Sequence, residues 1–173
     1  MATAKKAAKK TPATARAAQS DATLLLTRDH NEVKKLFKEY EKLADAEAAG
    51  EERQELAAQI CQMLTVHATI EEEIFYPAAR EAEVESDLLD EAEVEHASAK
   101  ELIAQIESMG PDDELYDAKV KVLGEYVDHH VQEEEGEMFP KCRKADMDLA
   151  ELAQQLTERK AELMEELGEE QDA

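Results

Sequence analysis

Apolar residues recur three and four positions apart through nearly the whole chain beyond residue 20. That spacing places them on one face of an α-helix, and the intervening Ala, Glu, Lys and Gln residues favour helix over strand. β-Branched and aromatic residues are sparse, and glycine and proline are few, with Gly50, Gly110 and Pro111 between the periodic segments. The pattern predicts an all-α, up-down four-helix bundle with one additional C-terminal helix.

Breaks and capping residues divide the chain into five predicted helices. Ser20 or Asp21 can cap the first of them through a side-chain oxygen. Pro77 and Pro140 fall in the last turns of the second and fourth helices, where we expect kinked or weakened turns. The helices are predicted over about residues 21–48, 51 to the low eighties, 86–109, 112–143 and 146–167.

The charge of −23 is distributed unevenly along the chain. The first 20 residues hold five basic residues and no acidic ones, whereas the other 153 hold 15 basic against 43 acidic residues. Residues 1–20 contain little that could be buried, so we predict a disordered basic tail ahead of one domain at residues 21–170. The acidic domain repels nucleic acid and anionic membranes, so we expect no strong binding to either.

The chain has the features of a cytoplasmic protein. No stretch is long and apolar enough for a transmembrane helix, and the N-terminus lacks the apolar segment of a secretory signal. The two cysteines, Cys61 and Cys142, lie far apart and show no CxxC spacing. We therefore expect free thiols in a reducing compartment.

One histidine lies on the apolar stripe of each of the four long predicted helices. A single inward-facing histidine is usually a hydrogen-bonded core residue, but four such residues would meet near the centre of a bundle. Convergent imidazoles are typical of a metal site. The four are His30, His67, His96 and His130, separated by 37, 29 and 34 residues.

A short internal repeat supports the same site. In both copies Glu follows His by four residues and Pro follows His by ten, as in His67, Glu71 and Pro77 and in His130, Glu134 and Pro140. Residues four apart share a helix face, about 6 Å apart along the axis. The Glu can therefore bind the same metal as the His, or bridge two metals. The alternative is that residues 71–73 and 133–135 are solvated faces, which holds for some of the six.

The register of the repeat also selects His130 over the adjacent His129 as a ligand.

Imidazole together with carboxylate favours iron, manganese or zinc over calcium. No cysteine joins the pattern, which excludes a zinc finger. A ferritin-like di-iron site needs Glu-x-x-His on two helices. Only Glu93-Val-Glu-His96 has that spacing beside a candidate ligand, so a ferritin-like fold is disfavoured. No nucleophile motif, phosphate loop or dinucleotide fingerprint is visible, so no catalytic residue is assigned.

Taken together, these motifs resemble the hemerythrin-like HHE cation-binding family over about residues 21–170. The resemblance implies two iron ions bridged by Glu71 and Glu134 and by an oxo or hydroxo group. His30 and His67 would then hold one iron, and His96 and His130 the other. The matching motifs are Asp29-His30, His67-x-x-x-Glu71 before Phe75-Tyr76-Pro77, Glu95-His96, and His130-x-x-x-Glu134 before Met138-Phe139-Pro140.

Lys100 departs from the family pattern, since oxygen-carrying hemerythrins have a second histidine four residues after the one that corresponds to His96. A protonated lysine cannot ligate a metal, so we expect its head to turn away toward a neighbouring Glu. The additional open position favours reaction with dioxygen, peroxide or nitric oxide over reversible oxygen carriage.

The leading functional hypothesis is therefore a non-haem metal protein that binds, senses or reacts with small oxidants. A second hypothesis is a ferroxidase-like or peroxide-consuming enzyme that uses the same site. A third is an interaction protein in which the metal is only structural.

Overall fold

A computed structural model describes residues 21–172, with side chains described up to residue 168. The predicted tail at residues 1–20 lies outside the described residues. The helices are α1 (Ala22–Asp45), α2 (Gly50–Ile70), α3 (Tyr76–Glu81), α4 (Ser86–Glu107), α5 (Tyr116–Glu133), α6 (Phe139–Lys144) and α7 (Leu149–Asp172). Two π-helical turns, Glu71–Phe75 and Glu134–Met138, join α2 to α3 and α5 to α6, so that each pair forms one long helical segment.

The four long segments α1, α2–α3, α4 and α5–α6 form the predicted up-down bundle. Its core consists of two apolar clusters at opposite ends. Successive segments enter the two clusters in alternating order, which defines the up-down topology. The first cluster includes Leu26, Ile70, Phe75, Leu89 and Phe139. The second includes Val33, Ile60, Ile103, Tyr116 and Leu123.

Helix α7 covers the end of the bundle that holds the first cluster. Leu152 and Leu156 are buried there, in the same cluster as Leu26 of α1 and Phe75 of the first π-helical turn. Burying two leucines against the bundle contributes on the order of several kcal/mol, which holds the helix in place. The predicted additional C-terminal helix is therefore part of the packed structure.

The helix ends differ from the predicted ones by a few residues. Asp21 caps α1 as predicted, and its Oδ1 accepts a hydrogen bond of 2.8 Å from the Thr23 backbone N–H. Gly50 begins α2, one residue before the predicted start at residue 51. Helix α5 begins at Tyr116, later than predicted, because the residues before it form turns.

The sequence predicted kinked or weakened turns around Pro77 and Pro140. In the structure, a π-helical turn lies immediately before each of the two short helices, α3 and α6, that contain these prolines. The backbone N–H of Tyr76 bonds to the carbonyl of Glu71, and that of Phe139 to the carbonyl of Glu134. Proline has no N–H and its ring crowds the preceding turn, so a wider turn ahead of it relieves that crowding. The helix continues through both prolines.

Both cysteines are free, as predicted. Cys61 lies in the second cluster and Cys142 in the first. Burial raises the pKa of each thiol to about 12, so both are protonated and unreactive near neutral pH. Within residues 21–172, no helix has the length and apolar character needed to cross a membrane.

Candidate metal centre

The six predicted site residues meet in one buried polar layer between the two apolar clusters. The layer forms because each histidine stands between residues of the first and the second cluster along its own helix. None of the six is more than 8% exposed to solvent. They are His30, His67, Glu71, His96, His130 and Glu134.

The first half of the layer joins α1, α2 and both π-helical turns. His30 Nε2 lies 3.1 Å from His67 Nε2 and 3.2 Å from Glu134 Oε2. His67 Nε2 lies 3.0 Å from Glu71 Oε1. The ligand-capable atoms of these four residues all lie within 4.8 Å of one another, close enough to surround one ion.

The second half joins α4 and α5 to the same two carboxylates. His96 Nε2 lies 3.1 Å from His130 Nε2 and 3.3 Å from Glu71 Oε2. Glu134 Oε1 lies 3.5 Å from His130 Nε2. Glu71 and Glu134 therefore each direct one oxygen to each pair of histidines.

A cation fits this arrangement better than protons do. Among the described residues, Glu71 Oε1 and Glu134 Oε2 are buried oxygens without a hydrogen-bond partner, although an imidazole nitrogen lies near each. Two carboxylates that lack full hydrogen bonding are costly in a dry interior. Metal ions between the imidazoles and carboxylates would remove that cost, and the donor set suits iron, manganese or zinc.

A closed ring of outer carboxylates orients the four histidines. Each Nδ1 lies near a carboxylate of a neighbouring segment, and each of these acidic residues is adjacent in sequence to a predicted site residue. Nδ1 is thereby occupied, which leaves Nε2 to face the centre. The four pairs are His67 with Asp29 at 3.3 Å, His96 with Glu72 at 2.8 Å, His130 with Glu95 at 2.6 Å and His30 with Glu135 at 2.8 Å.

Tyr76 belongs to the same layer, and the sequence reasoning did not select it as a site residue. Its hydroxyl donates a hydrogen bond of 2.6 Å to Glu134 Oε1 and lies 3.3 Å from Glu71 Oε2. It also lies 3.3 Å from His96 Nε2 and 3.4 Å from His130 Nε2. In the sequence, the position of Tyr76 directly before Pro77 could have indicated this role. The π-helical turn ahead of the proline rotates the residue at that position toward the centre.

In the metal-free centre, the nearby carboxylates and imidazoles shift one another's pKa values. Burial disfavours the charged imidazolium of His67, but Glu71 and Asp29 outweigh it and raise the pKa to about 10. Burial likewise opposes charge on His130, yet Glu134 and Glu95 raise its pKa to about 9. Burial favours protonation of Glu71, but His67 and His96 hold its pKa well below the usual range. The metal-free centre thus holds protons where a metal would bind.

Three neighbouring residues lie outside the buried layer, and the sequence predicted this for His129 and Lys100. His129 has a side chain that is 68% exposed and lies near Glu133 on the surface. Glu93 pairs with Arg80 at 2.9 Å and does not approach His96, which agrees with the rejection of a ferritin-like motif. Lys100 Nζ donates to Glu72 Oε2 at 2.6 Å, so its head points away from the histidines.

Comparisons with known proteins identify the family and the fold. The sequence matches the family described as Hemerythrin HHE cation binding domain over residues 21–142. A solved structure of a Hemerythrin HHE cation binding domain-containing protein from Mycobacterium kansasii has a similar fold, with a TM-score of 0.68 and 24% sequence identity. That similarity covers 83% of this chain and 86% of the other.

A curated relative is larger than this chain. The chain is 35% identical over 115 residues to a protein of Nostoc sp. (strain PCC 7120) named DNA nickase. The match covers 66% of this chain but only 31% of the relative.

Proposed function

Since the chain belongs to the Hemerythrin HHE cation binding domain family, we propose that it holds two iron ions between its bundle helices. At this centre it binds, senses or reacts with dioxygen, peroxide or nitric oxide. Manganese and zinc also suit the ligand set. We further propose that residues 21–170 form one metal-binding domain and that the protein is cytoplasmic, in keeping with its two buried free thiols.

In this proposal His30 and His67 bind one ion, His96 and His130 bind the other, and Glu71 and Glu134 bridge the two. The observation that carries it is the division of the carboxylate oxygens, because each Glu offers one oxygen to each histidine pair. When bound, iron supplies redox electrons and an open coordination position for a small ligand.

An apolar cavity beside the histidines supports a ligand of diatomic size. Its volume is about 50 Å³, which is small compared with the several hundred Å³ of sites for drug-sized ligands. Val33, Ile103 and Val127 contribute apolar walls, while His67 and His130 border it on the side of the polar layer. A small and weakly polar molecule can therefore approach the centre without displacing the core.

A peroxide-consuming or ferroxidase-like enzyme is the second candidate, and Tyr76 favours it. A buried phenol that donates at 2.6 Å to a bridging carboxylate can give or receive a proton during turnover. Lys100 also leaves the position of a further ligand open, since its amine pairs with Glu72.

We do not propose activity on DNA for this chain, although one relative is named DNA nickase. This chain spans about a third of that protein. Its residues beyond the first 20 carry a large excess of acidic groups, which disfavours contact with phosphates.

Metal analysis of aerobically purified protein, together with its visible spectrum, tests the proposal. We expect two iron ions per chain in the native protein. His67→Ala and His130→Ala should lower the bound metal sharply, whereas His129→Ala, the matched control on the surface, should retain it. Equal metal content in all three variants would contradict the ligand assignment.

Consumption of peroxide by the iron-loaded protein separates the two candidates. Turnover that falls in Tyr76→Phe would support the enzyme. If turnover and binding of small oxidants are both absent while chelation melts the fold, the third hypothesis of a structural metal is favoured.

A further inference from the structure

Helix α7 reaches the metal centre through one side chain. Lys160 Nζ donates to Asp29 Oδ1 at 2.5 Å, and Asp29 Oδ2 lies 3.3 Å from His67 Nδ1. We propose that Lys160 is a positioning residue, which fixes the Asp29 carboxylate and through it the His67 imidazole. This inference rests on the proposed function, because the orientation of His67 affects metal binding only if His67 is a ligand.

Asp29 needs such a partner more than the other three outer carboxylates do. Its side chain is 8% exposed, compared with 31% for Glu72, 24% for Glu95 and 36% for Glu135. Water can reach all three of these more exposed carboxylates, and Glu72 also accepts a hydrogen bond from Lys100. Asp29 is largely cut off from water, so a charged donor must satisfy its second oxygen.

The contact joins three helices around one imidazole. Asp29 lies on α1, His67 on α2 and Lys160 on α7. Leu152 and Leu156 anchor α7 in the first apolar cluster, which brings Lys160 to Asp29. The helix lies beyond residues 21–142, the part of the chain that the family pattern matches. A segment outside the matched domain therefore supports one half of the centre.

The structure predicts an asymmetric dependence of the two ions on α7. His67 belongs to the half that also contains His30, so the ion bound there requires the Lys160 contact. In the other half, Glu72 is held by Lys100, which lies on α4 beside His96 itself. Loss of the Lys160 charge would let Asp29 turn toward water, and His67 Nδ1–H would lose its acceptor. Outer partners of this kind affect metal affinity by about 10–100-fold.

Arg159 provides a matched control on the same helix. Its guanidinium pairs with Glu73 at 2.7 Å, and the Glu73 side chain is 46% exposed. Arg159→Met therefore removes an ion pair between α7 and the bundle without touching an outer carboxylate of the ring. A general effect of weaker docking of α7 would appear in both variants, but loss of positioning would appear only in Lys160→Met.

The experiment titrates metal-loaded, full-length protein with a chelator and counts the ions that remain. For Lys160→Met we expect one of the two ions to leave at a chelator concentration about tenfold lower than in the native protein. The second ion should leave at the native concentration. Arg159→Met should behave as the native protein, and Lys160→Arg should restore most of the loss because it keeps the charge.

A double-mutant cycle tests whether Lys160 acts through Asp29. In an Asp29→Asn background, the amide needs no cation, so adding Lys160→Met should have no further effect on ion release. Equal release in Lys160→Met and Arg159→Met, or a full additional effect in the Asn background, would overturn the inference. A native protein that binds no metal would instead overturn the proposed function.

Discussion

The two ring nitrogens of each site histidine have separate tasks. Nδ1 faces a carboxylate of the outer ring, and Nε2 faces the centre, so hydrogen bonding selects the tautomer whose lone pair is available to a metal. The ring connects neighbouring segments in sequence, since Asp29 of α1 serves His67 of α2, and Glu95 of α4 serves His130 of α5. A substitution at one outer carboxylate therefore weakens a ligand on another helix.

Tyr76→Phe should destabilise the metal-free protein more than the metal-loaded protein. Without the hydroxyl, Glu134 Oε1 loses its short donor, and a buried acceptor left unpaired costs about 1–3 kcal/mol. A bound metal satisfies that carboxylate, so the deficit should shrink in the loaded protein. Thermal unfolding of the metal-free and the metal-loaded variant measures this difference in stability.

Tyr40→Phe is the matched control for this prediction. The Tyr40 hydroxyl donates an equally short bond of 2.6 Å to Asp117, and Tyr40 belongs to the second apolar cluster. Its effect on stability should be the same with and without metal. A metal-independent effect at Tyr76 would show that its hydroxyl does not respond to the ions.

Lys100→His should shift the centre toward stable, reversible oxygen binding. The native lysine pairs with Glu72 and leaves the position four residues after His96 without an imidazole. The reduced native protein should therefore react with oxygen or peroxide and end oxidised. Spectra recorded over cycles of oxygen and vacuum distinguish the two behaviours. Reversible cycling by the native protein would contradict the prediction.

At the scale of helical elements, the two halves of the repeat fold alike. In each, the Glu begins a π-helical turn and the Pro lies at the second residue of the following short helix. The wider turn directs Glu71 and Glu134 into the layer, and it also brings the hydroxyl of Tyr76 there. The second copy has Phe139 at the equivalent position, so it supplies no such hydroxyl to the layer.

Gly136→Ala should stabilise the protein by about 0.5–1 kcal/mol without a change in metal content. A Cβ at Gly136 meets nothing within 4 Å, and the equivalent position of the first repeat is occupied by Glu73. Chemical denaturation measures the gain. Loss of metal in this variant would mean that the second π-helical turn requires glycine.

Gly124→Ala is the control, because Gly124 is crowded by a neighbouring side chain whereas Gly136 faces open space. Its Cβ would lie 3.0 Å from Cδ1 of Phe37, so the ring must shift to accept it. The strain should cancel the gain in helix propensity, and we expect no net stabilisation. Equal gains at both glycines would indicate that Phe37 moves freely.

At the scale of the whole molecule, metal binding and folding are linked. Ions that bind only the folded bundle stabilise it by about 2.7 kcal/mol at a free concentration of 100 times Kd. The layer joins all four bundle segments, so this stabilisation should raise the melting temperature in a single transition. Chelation that leaves the melting curve unchanged would argue against a buried site.

This stabilisation should increase as pH rises from about 6.5 to 9. In the metal-free fold the pKa values of His67 and His130 are raised to about 10 and about 9. Their stabilising charge is complete below pH 6.5 and is lost as pH rises through those values. Metal requires the neutral imidazoles and releases their protons, so higher pH favours it. Melting curves with and without metal across this range measure the difference, and a constant difference would contradict the linkage.

Local sequence patterns were sufficient to predict the helical bundle and the placement of the six buried site residues. Apolar spacing specified which face of each helix is buried, and a histidine on that face had no position other than the core. The repeat fixed Glu71 and Glu134 by their four-residue spacing, and it excluded His129. These features depend on helix geometry alone, which local sequence sets.

The partners that those residues meet depend on how the helices pack against one another. The acidic runs at 71–73 and 133–135 look uniform in sequence, yet Glu72 and Glu135 bond histidines of other helices while Glu73 pairs with α7. The same holds for the hydroxyl of Tyr76 and for Lys160, which is 131 residues from Asp29 in the chain. Such contacts depend on how whole helices rotate and pack, and no local pattern encodes that rotation.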